Sequence, residues 1–330
     1  MKNLILLTLL TLGCVCVSAQ SASSALQEAQ KITAEAVKFF QQGKYDEAAP
    51  LAQKAIAIRE KELGKDHLSV AQAWRNLAYI QLQRNNRKEA EKAFKTAYEI
   101  YEKNQPLAHA DEKTFVELLE KVAAYDVSAS DVVGAEKKLL RAVELSEKLN
   151  GKDSMETALS LFNLAQIYHL TDDYERAVPH LLRALDIKAG KDDKLDKQTD
   201  EIYMYTQCAL SKTGREKELT ALSERLDPKT KVAPENQERS INGGIVNGIA
   251  ISLPKPPYPA EARGTGARGA VAVQVKINEA GKVIFACAIN GAKPLHKAAE
   301  IAAYQSKFKP TTLNGKTLKV TGVITYNFTP

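Results

Sequence analysis

Four short segments recur along this chain at a nearly constant interval. They are Ala48-Ala49-Pro50-Leu51, Ala90-Glu91-Lys92-Ala93, Ala135-Glu136-Lys137-Lys138 and Ala177-Val178-Pro179-His180, spaced by 42, 45 and 42 residues. A period of that size marks a repeat array, in which each supersecondary unit buries its apolar face only against its neighbours. Each segment opens a helix whose apolar positions stay in register: Ile56, Tyr98, Val143 and Leu185, then Ile58, Ile100, Leu145 and Ile187. Ala55, Ala97, Ala142 and Ala184 occupy one shared position, where a small side chain suits close helix–helix approach. Five residues before the mark stand Gly43, Asn85 and Asp172, with Gly214 a further 42 along. These residue types tolerate a left-handed backbone, so each unit reads as helix, tight turn, helix. Pro50 and Pro179 are expected in the first turn of the second helix, and the three extra residues of the third unit in the turn Tyr125–Asp131.

Within this frame, Leu63-Gly64-Lys65-Asp66-His67, Trp74-Arg75-Asn76-Leu77-Ala78 and Lys88-Glu89-Ala90-Glu91 resemble the tetratricopeptide repeats of kinesin light chain type, over roughly residues 25–226. Asn163-Leu164-Ala165 with Tyr174-Glu175-Arg176-Ala177 carries the same pattern again. The resemblance implies an all-α solenoid whose inner groove holds extended peptides. It also implies that Asn76 and Asn163, which share one repeat position, face that groove and clamp a ligand backbone. An amide both donates and accepts, which suits a peptide bond; a structural bond between helices is the alternative. Ala34 and Tyr205 hold the position elsewhere, so a full asparagine ladder is not expected. Trp74 is read as a packing residue.

Helical periodicity stops near Leu226, and Asp227-Pro228 and Ala233-Pro234 break the chain. Residues 227–253 read as a linker. From residue 254 the period changes to two. Val271, Val273, Val275 and Ile277 form one strand, and Asn278-Glu279-Ala280-Gly281 a hairpin turn. Val283, Phe285, Cys287 and Ile289 form a second strand. A helix follows with Leu295, Ala298, Ala299, Ala302 and Phe308 on one stripe, then a third strand with Leu318, Val320, Ile324, Tyr326 and Phe328. This is a small α+β (ββαβ) module, expected to pack one sheet face on its helix and to show Lys and Thr on the other.

Pro257-Tyr258-Pro259-Ala260-Glu261-Ala262-Arg263, Gly291 with Pro294-Leu295, Phe308-Lys309-Pro310 before Asn314-Gly315-Lys316, and Tyr326-Asn327-Phe328 resemble the TonB C-terminal domain, over 254–330. That resemblance implies contact with outer-membrane receptors through the last strand. The strand-accepting residues would be Lys319, Val320, Thr321, Val323, Thr325 and Asn327, on an open edge running from Thr317 to Thr329. The chain departs from a full transducer: its N-terminal helix reads as cleavable, and repeats stand where the proline-rich spacer would be.

The N-terminus carries the address. Met1-Lys2-Asn3 precedes the apolar run Leu4–Val17, and Val17-Ser18-Ala19 offers small residues for cleavage between Ala19 and Gln20. A retained membrane anchor and lipidation at Cys14 are the other readings. Cleavage leaves Cys208 and Cys287, in different domains and apolar surroundings, expected as buried thiols rather than a bridge. Residues 254–330 hold eleven Lys/Arg against three Glu and no Asp, about +8 of a net +6, so the remainder is slightly acidic. Such asymmetry favours an anionic partner or surface, or simply solvates a face.

Chemistry is sparse. Gly264-Thr265-Gly266-Ala267-Arg268-Gly269 spells a dinucleotide loop but leads into a strand, where no helix N-terminus could face a phosphate. His67, His109, His169, His180 and His296 show no metal-ligand spacing. No catalytic, cofactor or metal residue is expected, and no nucleic-acid or small-molecule partner. The reading is a multi-domain chain: signal peptide 1–19, repeats 25–226, linker 227–253 and TonB-like domain 254–330. Its expected role is that of a periplasmic protein-binding adaptor linked to outer-membrane transport. The alternatives are a membrane-anchored TonB-type energy transducer and a scaffold resting on peptidoglycan.

Overall fold

The computed structural model describes residues 24–190, 197–226, 240–313 and 315–329. The cleavage pair Ala19 and Gln20 lies outside them. One compact unit ends at Asn163 and a second begins at Leu164.

Residues 24–41 form helix α1, followed by α2 (Tyr45–Leu63), α3 (Leu68–Gln83), α4 (Arg87–Lys103), α5 (His109–Ser128) and α6 (Val132–Asn150). Helix α7 (Met155–Leu170) leads to α8 (Tyr174–Ala189), α9 (Lys197–Lys212) and α10 (Glu216–Arg225). The turn residues behave as their chemistry requires: φ is +75° at Gly43, +61° at Asn85, +59° at Asp172 and +71° at Gly214. At each turn an N–H reaches back five residues, as Lys44 to Phe39 O (2.9 Å) and Asp173 to Tyr168 O (2.8 Å). This closes the helix end with its last carbonyls satisfied. The repeat alanines Ala48, Ala90, Ala135 and Ala177 are fully buried, which is why no larger side chain recurs there. Phe94, Tyr101 and Phe115 pack in one cluster with Ala93, Ala97 and Ala142 and are equally buried. Truncating one such aromatic to alanine costs about 3–5 kcal/mol.

Two local expectations are corrected. The three extra residues of the third unit lie in the helix, not the turn: α5 runs to Ser128 and the left-handed residue is Ser130 (φ +66°). The lengthened end is held by Asp126, buried and paired with Lys138 at 2.8 Å. Pro50 and Pro179 sit inside α2 and α8 rather than in their first turns, because those helices start at Tyr45 and Tyr174, directly after the turns.

In the second unit the sheet holds β1 (Ser240–Ile245), β7 (Lys316–Phe328), β3 (Gly269–Ile277) and β4 (Val283–Asn290) in that order. β6 (Thr311–Leu313) also pairs with β7, and β2 (Ala250–Ser252) pairs with β5 (Lys307–Phe308). Helix α11 (His296–Gln305) covers one face, where Val271, Val273, Val275, Leu295, Ala299 and Ile324 form a dry core. The Tyr258 hydroxyl donates to Ala267 O at 2.6 Å and pins the proline-flanked lead-in segment. Phe308 is buried as expected, but on β5 rather than on the helix.

The linker expectation fails for its second half: residues 240–245 are a strand of the sheet, and 250–252 pair with β5. The solvated second face fails too. Pairing shifts between Lys276↔Phe285 and Ile277↔Val283, so one extra residue on β4 forms a bulge. A one-residue shift exchanges the faces of every side chain beyond it. Val283 therefore stays in the core shared with α11, while Phe285 and Cys287 turn to the opposite face. There Cys287 is disulfide-bonded to Cys208 of α9, against the expectation of two free thiols. Phe285 packs on Tyr205 (ring centroids 4.7 Å) and stacks on His169 (5.7 Å). Lys276, 1% exposed, lies 3.6 Å from Glu201 of the same helix.

Candidate peptide-binding sites

The sequence pointed to two binding surfaces, the asparagine positions of the repeats and the last strand. Asn76 lies on α3 and lines a cavity of about 230 Å³ between α1, α2 and α3, with Val37, Phe40 and Ala55 among its walls. Its side-chain amide bonds to no described residue, so both its donor and its acceptor remain available. Its neighbours are committed. Arg75 grips Glu117 of α5 through Nε (3.1 Å) and Nη2 (2.7 Å), and the Tyr79 hydroxyl donates to the same carboxylate. Burial works against the Glu117 charge, yet bonds from Arg75 and Tyr79 hold its carboxyl below the usual range. Burial and the Glu117 bond push the Tyr79 phenol up.

Asn163 shares the repeat position but not the surroundings. Its amide bonds Glu120 of α5, which also accepts from Ser160 Oγ at 2.7 Å. Burial raises the Glu120 carboxyl, and these two bonds work to lower it. Glu117, Glu120 and Ser160 line a second, more polar cavity of about 240 Å³. Asn163 is thus a bond between helices, whereas Asn76 is an unengaged amide at an apolar cavity. Leu118 fills the position in the third unit, fully buried. In the fifth, Tyr205 is taken up by Phe285 of β4. Trp74 packs within the repeat cores and donates to Glu60 at 3.3 Å.

The last strand is not the open edge expected from its alternation. β1 lies parallel along it, with Ser240↔Lys319, Ile241↔Val320, Asn242↔Thr321 and Ile245↔Val323 in register. Val246 N donates to Val323 O at 3.0 Å. Asn247 then mimics one more strand residue: its Nδ2 donates to Thr325 O (2.8 Å) and its Oδ1 accepts from Thr325 N (2.9 Å). Val320 points into the core, Lys319, Thr321, Val323 and Thr325 are half-buried, and Asn327 is exposed, paired with Ala270 of β3. β1 approaches closely because Gly322 leaves room: a Cβ there would stand 2.5 Å from Val246 Cγ1 and 3.0 Å from Gly244 O. The opposite edge is closed differently. On β4, Ala288 N donates to Glu300 of α11 at 2.8 Å, and that carboxylate is held by Lys212 of α9 at 2.6 Å. No sequence signal marked β1, the disulfide or this edge closure. Among the described residues no group of three His, Cys, Asp or Glu could hold a metal ion, and no helix is long and apolar enough to cross a membrane.

The tetratricopeptide repeat family matches residues 36–103 and 117–189, and the Gram-negative bacterial TonB protein C-terminal family matches 254–330. The chain is 28% identical over 232 residues to the clustered mitochondria protein homolog of Aspergillus clavatus, covering 65% of this chain and 18% of that relative. It thus spans less than a fifth of that relative's length. BtubC (BKLC) from P. vanneervenii aligns in structure with a TM-score of 0.50 at 19% identity, over 63% of this chain and 88% of the other. A kinesin-light-chain candidate of Podosopora anserina with nearly identical repeats aligns with a TM-score of 0.48 at 20% identity, over 62% and 95%. The likeness to BtubC shows the fold of the helical part, and the two family matches give the composition: a tetratricopeptide-repeat array followed by a domain that matches the TonB C-terminal family.

Proposed function

We propose that this chain is an exported, non-enzymatic adaptor of the cell envelope that binds an extended protein segment in its repeat groove and presents a TonB-like module to outer-membrane transport. The observation that carries the reading is Asn76, an amide with no partner among the described residues beside an apolar cavity, whereas Arg75, Tyr79 and Glu117, and Asn163, Ser160 and Glu120, are bonded to one another. Such an amide can satisfy both groups of a ligand peptide bond. Export draws support from the Cys208–Cys287 disulfide, since such bridges persist in oxidising compartments and the periplasm is one. The strand-accepting half of the proposal requires exchange: a partner strand reaches β7 by displacing β1, in which Gly243 and Gly244 carry no side chain and Ile245 is exposed.

The test is crosslinking in intact cells, followed by fractionation. Full-length wild type should crosslink an envelope protein from the periplasmic fraction, and Asn76→Ala should lose most of that product at an unchanged melting temperature. Equal crosslinking by the variant, or recovery of the protein outside the envelope, would sink the reading.

A further inference from the structure

Three isoleucines of the second unit face water within one short segment. Ile245 is 75% exposed, Ile249 58% and Ile251 62%. All three lie ahead of residue 254, where the family match begins. The segment that carries them is anchored from within. Val246 is fully buried in the core shared with α11, and Ala250 packs against the same cluster. Ile249 N donates to Val246 O at 3.2 Å, closing the turn between β1 and β2. Ala250 then pairs with Phe308 and Ser252 with Lys307, so Ile251 stands between two fixed neighbours on the β2–β5 ribbon. Single exposed apolar side chains need no explanation; three on one anchored turn and ribbon form a patch, and such patches mark contact surfaces.

Lysines frame the same rim. Lys307 stands directly opposite Lys282 across an isolated bridge, beside the bond from Phe308 N to Gly281 O at 2.9 Å. Like charges facing each other across paired strands are unfavourable. Lys309 follows on the chain, and Lys255 comes three residues after β2; all four lysines are exposed. None of them holds a carboxylate among the described residues, whereas Lys212 and Lys297 each do. Of the glutamates in 254–330, Glu300 is taken up by Lys212, and neither Glu261 nor Glu279 pairs with a described lysine.

We propose that this rim docks on an anionic phospholipid surface. Ile245, Ile249 and Ile251 enter the boundary between headgroups and acyl chains, while Lys282 and Lys307, with Lys255 and Lys309 beside them, meet the lipid phosphates. The charge pattern selects this partner: apolar side chains ringed by ammonium groups without counter-charges complement a negatively charged interface. A bilayer also needs no pocket shaped for each isoleucine. The turn is already ordered by Val246 and Ala250, so docking pays no cost of folding it. The contact is peripheral, distinct from a membrane span, and it requires neither the repeat groove nor exchange of β1.

The test is co-sedimentation of the full mature chain with vesicles, either of phosphatidylcholine alone or of equimolar phosphatidylethanolamine and phosphatidylglycerol. Wild type should bind the anionic vesicles at least about tenfold more tightly, and less tightly as salt is raised. Ile249→Asn with Ile251→Asn should weaken binding by about tenfold or more and keep its salt dependence. Lys282→Gln with Lys307→Gln should weaken it by about fivefold for each lysine and flatten the salt dependence. Circular dichroism checks folding. Should a variant fail to fold, amide hydrogen exchange of the wild type on anionic vesicles still reads the contact: slowed exchange at Ile249 and Ile251 supports docking, and unchanged exchange there overturns it. Equal binding to both vesicle types overturns the proposal. So does full affinity in the isoleucine variant, which would leave a contact of charges alone. Retention on purified peptidoglycan without vesicle binding assigns the lysines to a polymer and overturns it. Self-association abolished by the isoleucine variant, again without vesicle binding, assigns the patch to a second copy and overturns it too.

Discussion

Replacing Asn247 by alanine should loosen β1 without unfolding the sheet beneath it. The asparagine makes two bonds to the backbone of Thr325, at 2.8 and 2.9 Å. The site is only half-buried, so water replaces the lost partner and no orphaned group adds to the cost. At about 1 kcal/mol for each bond, the closed arrangement loses about 2 kcal/mol, a rise of roughly 30-fold in the opening equilibrium. Amide hydrogen exchange reads this directly. The Val246 N–H, bonded to Val323 O, should exchange roughly 30-fold faster, while Val273 and Val275 of β3 keep their protection. A peptide that pairs with β7 should bind the variant more tightly by a comparable factor. Unchanged exchange at Val246 would refute the idea that Asn247 holds the strand. Acceleration spreading equally into β3 and β4 would refute the idea that β1 opens by itself.

Other expectations follow from the same geometry. Replacing Cys208 and Cys287 together by serine opens a loop of 79 residues, and the chain-entropy estimate puts the loss at about 4–5 kcal/mol; an unchanged guanidinium midpoint of the full chain would show that the bridge does not form. His169, packed among Tyr174, Tyr205 and Phe285 with Asp172, Lys212 and Lys297 as the nearest charges, is lowered by burial to about 4. The unfolded chain therefore takes up its proton first, so stability should be full above about pH 6.5 and fall on acidification toward pH 4, by on the order of 3 kcal/mol. His169→Phe should flatten that slope in denaturation curves taken at pH 7 and pH 4.5. Asn163→Ala should lower the melting temperature, because it strips a bond from buried Glu120, at about 1 kcal/mol, while leaving peptide affinity alone. Under the proposed export, the intact mass of the protein purified from cells should correspond to a chain beginning at Gln20.

The parts legible in advance were those that residue type dictates locally. Gly43, Asn85, Asp172 and Gly214 stand at left-handed turns because few other residues tolerate that backbone, and the buried alanines mark where helices touch. The misreadings came from partners distant in the chain. Asn76 and Asn163 are the same letter in the same frame, and only the presence of Glu120 beside one of them separates an engaged amide from an unengaged one. Ser240–Ile245 has two glycines in six residues, a composition that strands avoid, and it becomes a strand because β7 offers it a free edge and Gly322 the clearance. The run Val283, Phe285, Cys287, Ile289 reads as one face, since nothing in it announces the bulge. With the bulge unseen, Cys287 could not be aimed at Cys208.

That bulge also decides how the molecule can be cut. The family match begins at residue 254, but Phe285, Cys287 and Lys276 face away from α11 and rest against α7 and α9. A fragment starting at 254 would carry a raw aromatic face, a stranded thiol and an unmatched ammonium, besides a bare β7 edge. Such a fragment has two adhesive surfaces that the intact chain does not, and pairing of copies through them would say little about the native protein. The piece to sever must instead begin ahead of α7, at Ser154, so that the repeat helices that serve as the missing layer of the sheet come with it.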